Sequence, residues 1–416
     1  MKPEPLAVSL KSVRRLAVAK QRLAGKLPSR PGAETILSVV RDLAYVQWDP
    51  VSIVAPSHLI SLWARLGAFR LQELERLLWK ERKLFLHWAP IASILLTEDY
   101  PLYLSLMRRY PDSLSGSWGA QRTEARRFLA EHRELRAKVL SELKGGPLTI
   151  GEFEDHPRTP RDDGEWTPRS NVALMLSHLL MAGEVMVVGH RGAQNLWGLS
   201  KEFLPEWVDR RALPEKEFDR VAARRAIRAL GAATPTEINY HFVRGRYQDL
   251  RGALARLEAD SEIRRVKVDG FGDRDERYIL CDDIPRLESL EGPDWEPRMS
   301  LLPPFDNLIH STARTRQLFG FDYVREQFLP KEKRRFGTYV LPILWGDRLI
   351  GRIDPRLDKA RSELVINGVH AEPHAPQDPE IAEEVASTIA RFAKFLGARQ
   401  VTYPSQVPEA WKGSLR

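Results

Sequence analysis

Apolar and polar positions follow two periods along this chain, and their succession predicts its elements. Val13, Leu16, Ala17 and Leu23 keep helical spacing across residues 8–27. Helices are also predicted over 34–45, 52–66 and 71–83. Pro28, Pro31 and Gly32 mark the first loop, and Pro50 lies near the start of the third helix, where a missing N–H costs nothing. Residues 121–144 read as one charged helix, ended by Gly145, Gly146 and Pro147. "LTIGEFEDH" opens the next block as a helix that Thr149 can cap. "SNVALMLSHLLMAGEVMVVGHRGAQNLWGLS" then gives a helix, a stop at Gly183 and two strands, about 184–189 and 194–199. His190, Arg191, Gly192 and Ala193 separate the strands. Helix then hairpin is the order of a recognition helix and its wing.

A weaker copy follows. "ARRAIRALGAATPTEINYHFV" carries a helix, a stop at Gly231 and a helix start at Thr234-Pro235-Thr236-Glu237, and "LRGALARLEADSEIRRVKVDGFGDRDERYIL" supplies a further helix and hairpin. The repeat is one of element order, not of identity, and reads as tandem winged helices. Past Pro303-Pro304 the pattern shifts to short alternating strands turning at Gly346-Asp347, as in a small barrel or sheet. "DPEIAEEVASTIARFAKFLGA" closes the pattern as an amphipathic helix. The fold class is therefore α+β.

Composition narrows the function. A chain of 416 residues with 43% hydrophobic content exceeds one core, so two to four domains are expected. No run of 18 apolar residues occurs, so no transmembrane helix is expected. Eight Lys or Arg against Glu4 alone put +7 of the formal +8 in residues 1–30, which we read as a basic amphipathic helix in preference to a transit peptide. Net positive charge favours a polyanionic partner. A single cysteine, Cys281, excludes an internal disulfide, Cys-based zinc sites and iron–sulfur clusters. No dinucleotide, P-loop, zinc-protease or serine-hydrolase motif occurs and the histidines lack metal spacing, so no cofactor and no metal are expected. The expected location is the cytoplasm, at the nucleoid.

The candidate chemistry lies in "YVQWDPVSIVAPSH", residues 45–58. In extended chain Gln47 and Asp49 face one way and Trp48 the other, into the core. Asp49 precedes Pro50, which pushes it toward N-cap geometry, where a helix N-terminus would keep it ionised. Two readings stand. Asp49 caps a helix and Gln47 is a satisfied polar residue, or a fixed carboxylate and an amide hold a water for hydrolysis through an oxocarbenium-like transition state. A ring-alkylated base already carries positive charge and leaves without a general acid, so one carboxylate suffices.

Four passages carry a resemblance: "YVQWDPVSIVAPSHLISLWARLG", "GEVMVVGHRGAQNLWGLSKEFLP", "LLPPFDNLIHSTARTRQLFGFDYV" and "RRFGTYVLPILWGDRLIGRIDPRLD". Together they resemble the winged-helix DNA glycosylases of the AlkZ and YcaQ type. The resemblance implies three tandem winged-helix domains (1–115, 116–212, 213–297) and a C-terminal β-barrel-like domain with a terminal helix (298–416). Gln47-Trp48-Asp49 matches the Gln-x-Asp form of the family's catalytic element. That match implies Asp49 as the catalytic carboxylate, Gln47 as the residue that positions water, and alkylated purines and interstrand crosslinks as substrates in an open groove. The chain departs from the family at His58-Leu59, where two histidines are usual, at Phe85–Pro90, and after Asn307, where Trp-Asp-Arg is missing.

The expected partner is double-stranded DNA carrying alkylated or crosslinked bases, bound by a monomer without a membrane. Arg191 and Gln194 at a wing tip, and Arg314, Arg316, Lys333, Arg334 and Arg335 beside the barrel, are candidate phosphate contacts. His58 either faces the lesion or packs on its helix. Asp306, in "PFDN", reads as a turn residue. The competing function is a winged-helix transcription regulator without chemistry.

Overall fold

A computed structural model describes residues 4–49, 51, 53–114, 118–154, 170–272, 274–293 and 295–415. The chain forms two compact units. One comprises Met1–Arg70, Arg224–Ile238 and Ala255–Arg416, the other Leu71–Ala223 and Asn239–Leu254.

In the first unit the basic N-terminal segment forms the helix Leu10–Lys20, started by the Ser9 side chain, which accepts the Ser12 N–H at 3.0 Å. Its inner face buries Val13, Leu16, Ala17 and Val18. Its cations are partly spent inside the unit. Arg14 reaches Asp347 at 3.1 Å, Arg15 donates to the Leu290 carbonyl at 2.6 Å, and Lys20 pairs with Asp283. The run of positive charge thus tethers its own unit. Leu6–Val8 adds a parallel strand to Ile263–Val268, which pairs antiparallel with Arg277–Leu280. The C-terminal β region is a five-stranded sheet in the order Gln400–Thr402, Glu363–Ala371, Arg348–Asp358, Leu341–Trp345, Met299–Leu301. The closing helix Pro379–Phe395 buries Val385, Ile389 and Phe392 and packs against this sheet's outer strands.

In the second unit the hairpin Leu84–Trp88 and Ala92–Leu96 precedes a helix and a second hairpin. The helix Asn171–Met181 starts at Ser170, whose hydroxyl accepts the Ala173 N–H. It stops at Gly183, whose φ of +72° favours glycine and whose absent Cβ would sit 2.6 Å from the Met107 sulfur. The strands Val185–Arg191 and Gln194–Leu199 follow as an antiparallel hairpin.

The internal repeat goes deeper than element order. Leu148 bridges Trp197 in one hairpin, and Ala233 bridges Tyr278 in the other. Each bridging residue is followed by Thr-x-x-Glu, and in both copies the Glu carboxylate accepts the Thr N–H, Glu152 from Thr149 at 2.8 Å and Glu237 from Thr234 at 2.9 Å.

Several boundaries differ from expectation. The third helix is Ser57–Leu66, beginning five residues late at Pro56, and Pro50 and Ser52 lie outside the described residues. The charged helix is two, Gly119–Glu131 and Arg133–Glu142, broken where His132 takes φ −114° and ψ 39°. A helix with so few apolar residues has little packing to hold it straight. "LTIGEFEDH" forms only the 3₁₀ turn Ile150–Glu152, and its last two residues lie outside the described residues. Leu71–Glu75 continues as a π-helical turn, Arg76–Lys80. Among the described residues no helix is long and apolar enough to cross a membrane.

Candidate active site

The site is built on the exit from the helix Ala33–Leu43. Ala44 takes φ +70°, which reverses the chain into the short strand Val46–Gln47. Tyr45 and Val46 are buried beneath it. This strand is held from far along the sequence. Asn307 donates its side-chain amide to the Tyr45 carbonyl at 3.0 Å and the Leu43 carbonyl at 3.4 Å. Asn307 is set in turn by Asp306, whose carboxylate accepts Arg65 at 2.6 and 2.9 Å, Ser61 at 3.2 Å and the Leu308 N–H at 3.0 Å. The side chains of Arg65 and Asp306 are both fully buried. A buried pair survives only when its remaining donors and acceptors are satisfied, as these are. Asp306 is thus the turn residue the sequence suggests.

Gln47 and Asp49 are 6% and 8% exposed. Gln47 Oε1 and Asp49 Oδ2 accept no hydrogen bond from the described residues. Buried acceptors are rarely left so, and such an exception points to function or strain. Asp49 Oδ1 accepts the Val51 N–H at 3.1 Å. The next helix begins only at Ser57, so Asp49 does not cap it. The expectation that a helix N-terminus keeps Asp49 ionised is therefore wrong. Burial raises its pKa, against the lowering effect of the Val51 N–H. Tyr339 is fully buried, and its phenol is raised by burial and then by the Asp49 charge, against the lowering effect of nearby Ser57.

Trp48 does not enter the core as expected. It is half-buried and stacks on His58, with ring centroids 4.2 Å apart and planes at 15°. His58 is itself buried, with its ring against Trp48. In the second unit, the departure at Phe85–Pro90 is core. Burial, and then Arg246, lower the His87 pKa to about 3, so this histidine stays neutral. Arg246 donates to the carbonyls of Trp88 and Ala89.

Tyr339 stands at the end of an ordered basic loop. The Thr338 and Tyr339 N–H groups donate to Asp354 Oδ1 at 3.0 and 2.8 Å. Glu326 Oε2 accepts the N–H groups of Arg335, Phe336 and Gly337 at 3.0, 2.8 and 3.1 Å. Gly337 has φ +143°, and a Cβ there would lie 2.2 Å from the Asp354 carboxyl carbon. On this loop Lys333 and Arg335 are exposed, while Arg334 turns back to the Leu329 carbonyl and the Thr338 hydroxyl. Arg316 is exposed beside Asp322. Arg191 and Gln194 face each other at the tip of the hairpin Val185–Leu199, both exposed, with Arg191 paired to Glu152.

Arg314 corrects a sequence expectation. It is 4% exposed and donates to Glu237 and to the carbonyls of Ala232 and Leu230, so it fastens the repeat from within and offers nothing to a phosphate. Asn307 and Tyr339 are the site residues that sequence reasoning passed over. The Pro-rich turn before Asn307 was the available signal for the first, and nothing local marks the second.

Chemically, the arrangement offers two buried acceptor oxygens on residues two apart in the chain, one on a carboxylate made more basic by burial. Such a pair can hold a water, accept its proton and place negative charge next to a developing cation. Among the described residues no group of three His, Cys, Asp or Glu is placed to hold a metal.

Residues 40–395 match the family model described as DNA glycosylase AlkZ-like. Among solved structures the chain is similar to the Streptomyces sahachiroi DNA glycosylase AlkZ, with a TM-score of 0.64 and 18% identity over 97% of this chain and 100% of that one. At this identity the likeness establishes a shared fold.

Proposed function

The chain belongs to the AlkZ-like DNA glycosylase family, and from that premise we propose that it hydrolyses the N-glycosidic bond of cationic purines alkylated at N7 or N3 in duplex DNA and unhooks interstrand crosslinks. The observation that carries this reading is the buried, unpartnered acceptor pair of Gln47 and Asp49. Gln47 positions the water. Asp49 stabilises the sugar cation as the base departs, then takes the proton of the attacking water. The alkylated base leaves as a neutral molecule, so no second carboxyl group is required.

The reaction in this reading is monofunctional. No lysine lies between Lys26 and Lys80 to supply an amine beside the motif, and the product is an intact abasic site. Arg191, Gln194, Arg316, Lys333 and Arg335, all exposed, are the proposed contacts to the DNA backbone. The four-domain division, with winged helices over 1–115, 116–212 and 213–297 and the β domain over 298–416, belongs to the same proposal. So do a monomeric state and a cytoplasmic, nucleoid-associated location.

Incubation with a duplex containing 7-methylguanine tests the reading. Free 7-methylguanine and an uncleaved abasic strand are expected. Absence of free base would favour a DNA-binding regulator, and a borohydride-trapped protein–DNA adduct would refute the monofunctional mechanism, because trapping requires a Schiff base.

A further inference from the structure

Beside the turn that holds the catalytic strand stands an aromatic side chain that folding does not account for. Phe328 is 59% exposed, and nearby Val324 is 54% exposed. Phe328 is carried on the 3₁₀ turn Glu326–Phe328, and its ring leans toward Phe305 at a centroid distance of 6.1 Å. The Arg325 guanidinium lies 5.6 Å from the Phe305 ring and donates to the carbonyls of Pro304 and His310, at 2.9 and 2.6 Å. Those carbonyls bracket Asn307, which bonds Tyr45 and so sets the strand of Gln47 and Asp49. Ring contacts through Phe305 and Arg325, then hydrogen bonds through Arg325 and Asn307, therefore connect the exposed ring to the strand of Gln47 and Asp49.

The presentation is rigid on its other side too. Glu326, two residues before Phe328, is turned inward onto the three amides of residues 335–337. Past Phe328 the chain displays Lys331, Lys333 and Arg335 to solvent, and neither lysine has an ion-pair partner among the described residues. A ring meant for self-association would sit in an apolar surround. A ring beside unpaired cations fits a polyanion whose monomers present flat π faces.

We propose that Phe328 is a stacking wedge, inserted against the base step next to the damaged nucleotide, with Lys331 and Lys333 holding the flanking phosphates. This rests on the glycosylase reading above and adds how the duplex is opened locally for attack.

The test uses the full chain and a duplex with 2-aminopurine beside 7-methylguanine, since 2-aminopurine brightens when unstacked. Wild type should brighten the probe on binding. Phe328→Ala should lose that rise and slow single-turnover excision about tenfold, a loss within the range of one base–aromatic stack. Its melting temperature and its affinity for undamaged duplex should stay within error and within about twofold of wild type. Phe328→Trp should restore both signals, and Val324→Ala should leave them intact. A Phe328→Ala protein with wild-type brightening and excision overturns the wedge, as does an equal loss from Val324→Ala. The two readings fail separately. If wild type brightens the probe but releases no base, the glycosylase chemistry is refuted and the wedge stands.

Discussion

Replacing Asp49 with Asn separates two demands made on one side chain. The amide oxygen of Asn can still accept the Val51 N–H, the hydrogen bond that Oδ1 makes at 3.1 Å. What disappears is the charge and the basic Oδ2, which nothing in the described protein engages. If Oδ2 stabilises the sugar cation and takes the proton of water, single-turnover excision of 7-methylguanine should fall on the order of 10²–10³, about 3–4 kcal/mol of transition-state stabilisation. Stability should move the other way. Burial raises the folded-state pKa of Asp49 above its unfolded value, so its contribution to stability is full below the unfolded pKa and is lost as pH rises through the folded one. At neutral pH the wild type therefore carries the cost of a buried charge. Asp49→Asn, with none, should gain about 0.5–2 kcal/mol in melting or urea titrations, and that gain should vanish when the pH drops below the carboxylate range. The wild-type rate should also decline on the acid side at a pH above that of an ordinary aspartate. Wild-type excision by Asp49→Asn would refute the catalytic assignment. An Asn variant clearly less stable than wild type at neutral pH would refute the electrostatic account.

Gln47→Ala should lose less excision than Asp49→Asn in the same assay, because a positioned water can be partly replaced by another. Asp306→Ala leaves Arg65 charged and buried without its partner, and denaturant titration should show a loss of about 3–5 kcal/mol. Lys333→Ala and Arg335→Ala should each flatten the log–log salt dependence of duplex binding by about 0.9. Arg314→Ala should leave that slope unchanged while lowering the melting temperature.

Helix-then-hairpin order and the stop at Gly183 were legible because they rest on local chemistry: periodicity, caps and a positive φ. The Thr-x-x-Glu pairs that anchor both repeats are equally local. Other features were not. The apolar run from Ile53 to Ala55 fits either a helix or a bend, and the helix starts only after Pro56, whose φ of −50° and ψ of 133° are non-helical. Arg314 and Arg316 look alike in one dimension, yet two residues on a helix are about 200° apart. On Thr312–Phe319 one arginine turns inward and the other outward. Treating them as a pair ignored that geometry. The environment of Asp49 was misjudged for the same reason, since burial is a property of the assembled unit. The Asn307 bond to Tyr45 spans 262 residues, and no window along the chain connects its ends.

That span has a consequence in time. When Tyr45 is added to the growing chain, the amide that fixes its strand is still 262 residues from synthesis, roughly 13–50 s at ordinary elongation rates of about 5–20 residues per second. The reacting groups are made early and set late. A nascent chain, or one cut short before Asn307, carries Gln47 and Asp49 but lacks the bond that positions their strand. On the function proposed above, base release waits for a nearly finished protein, and an interrupted message leaves fragments that lack the bond positioning Gln47 and Asp49.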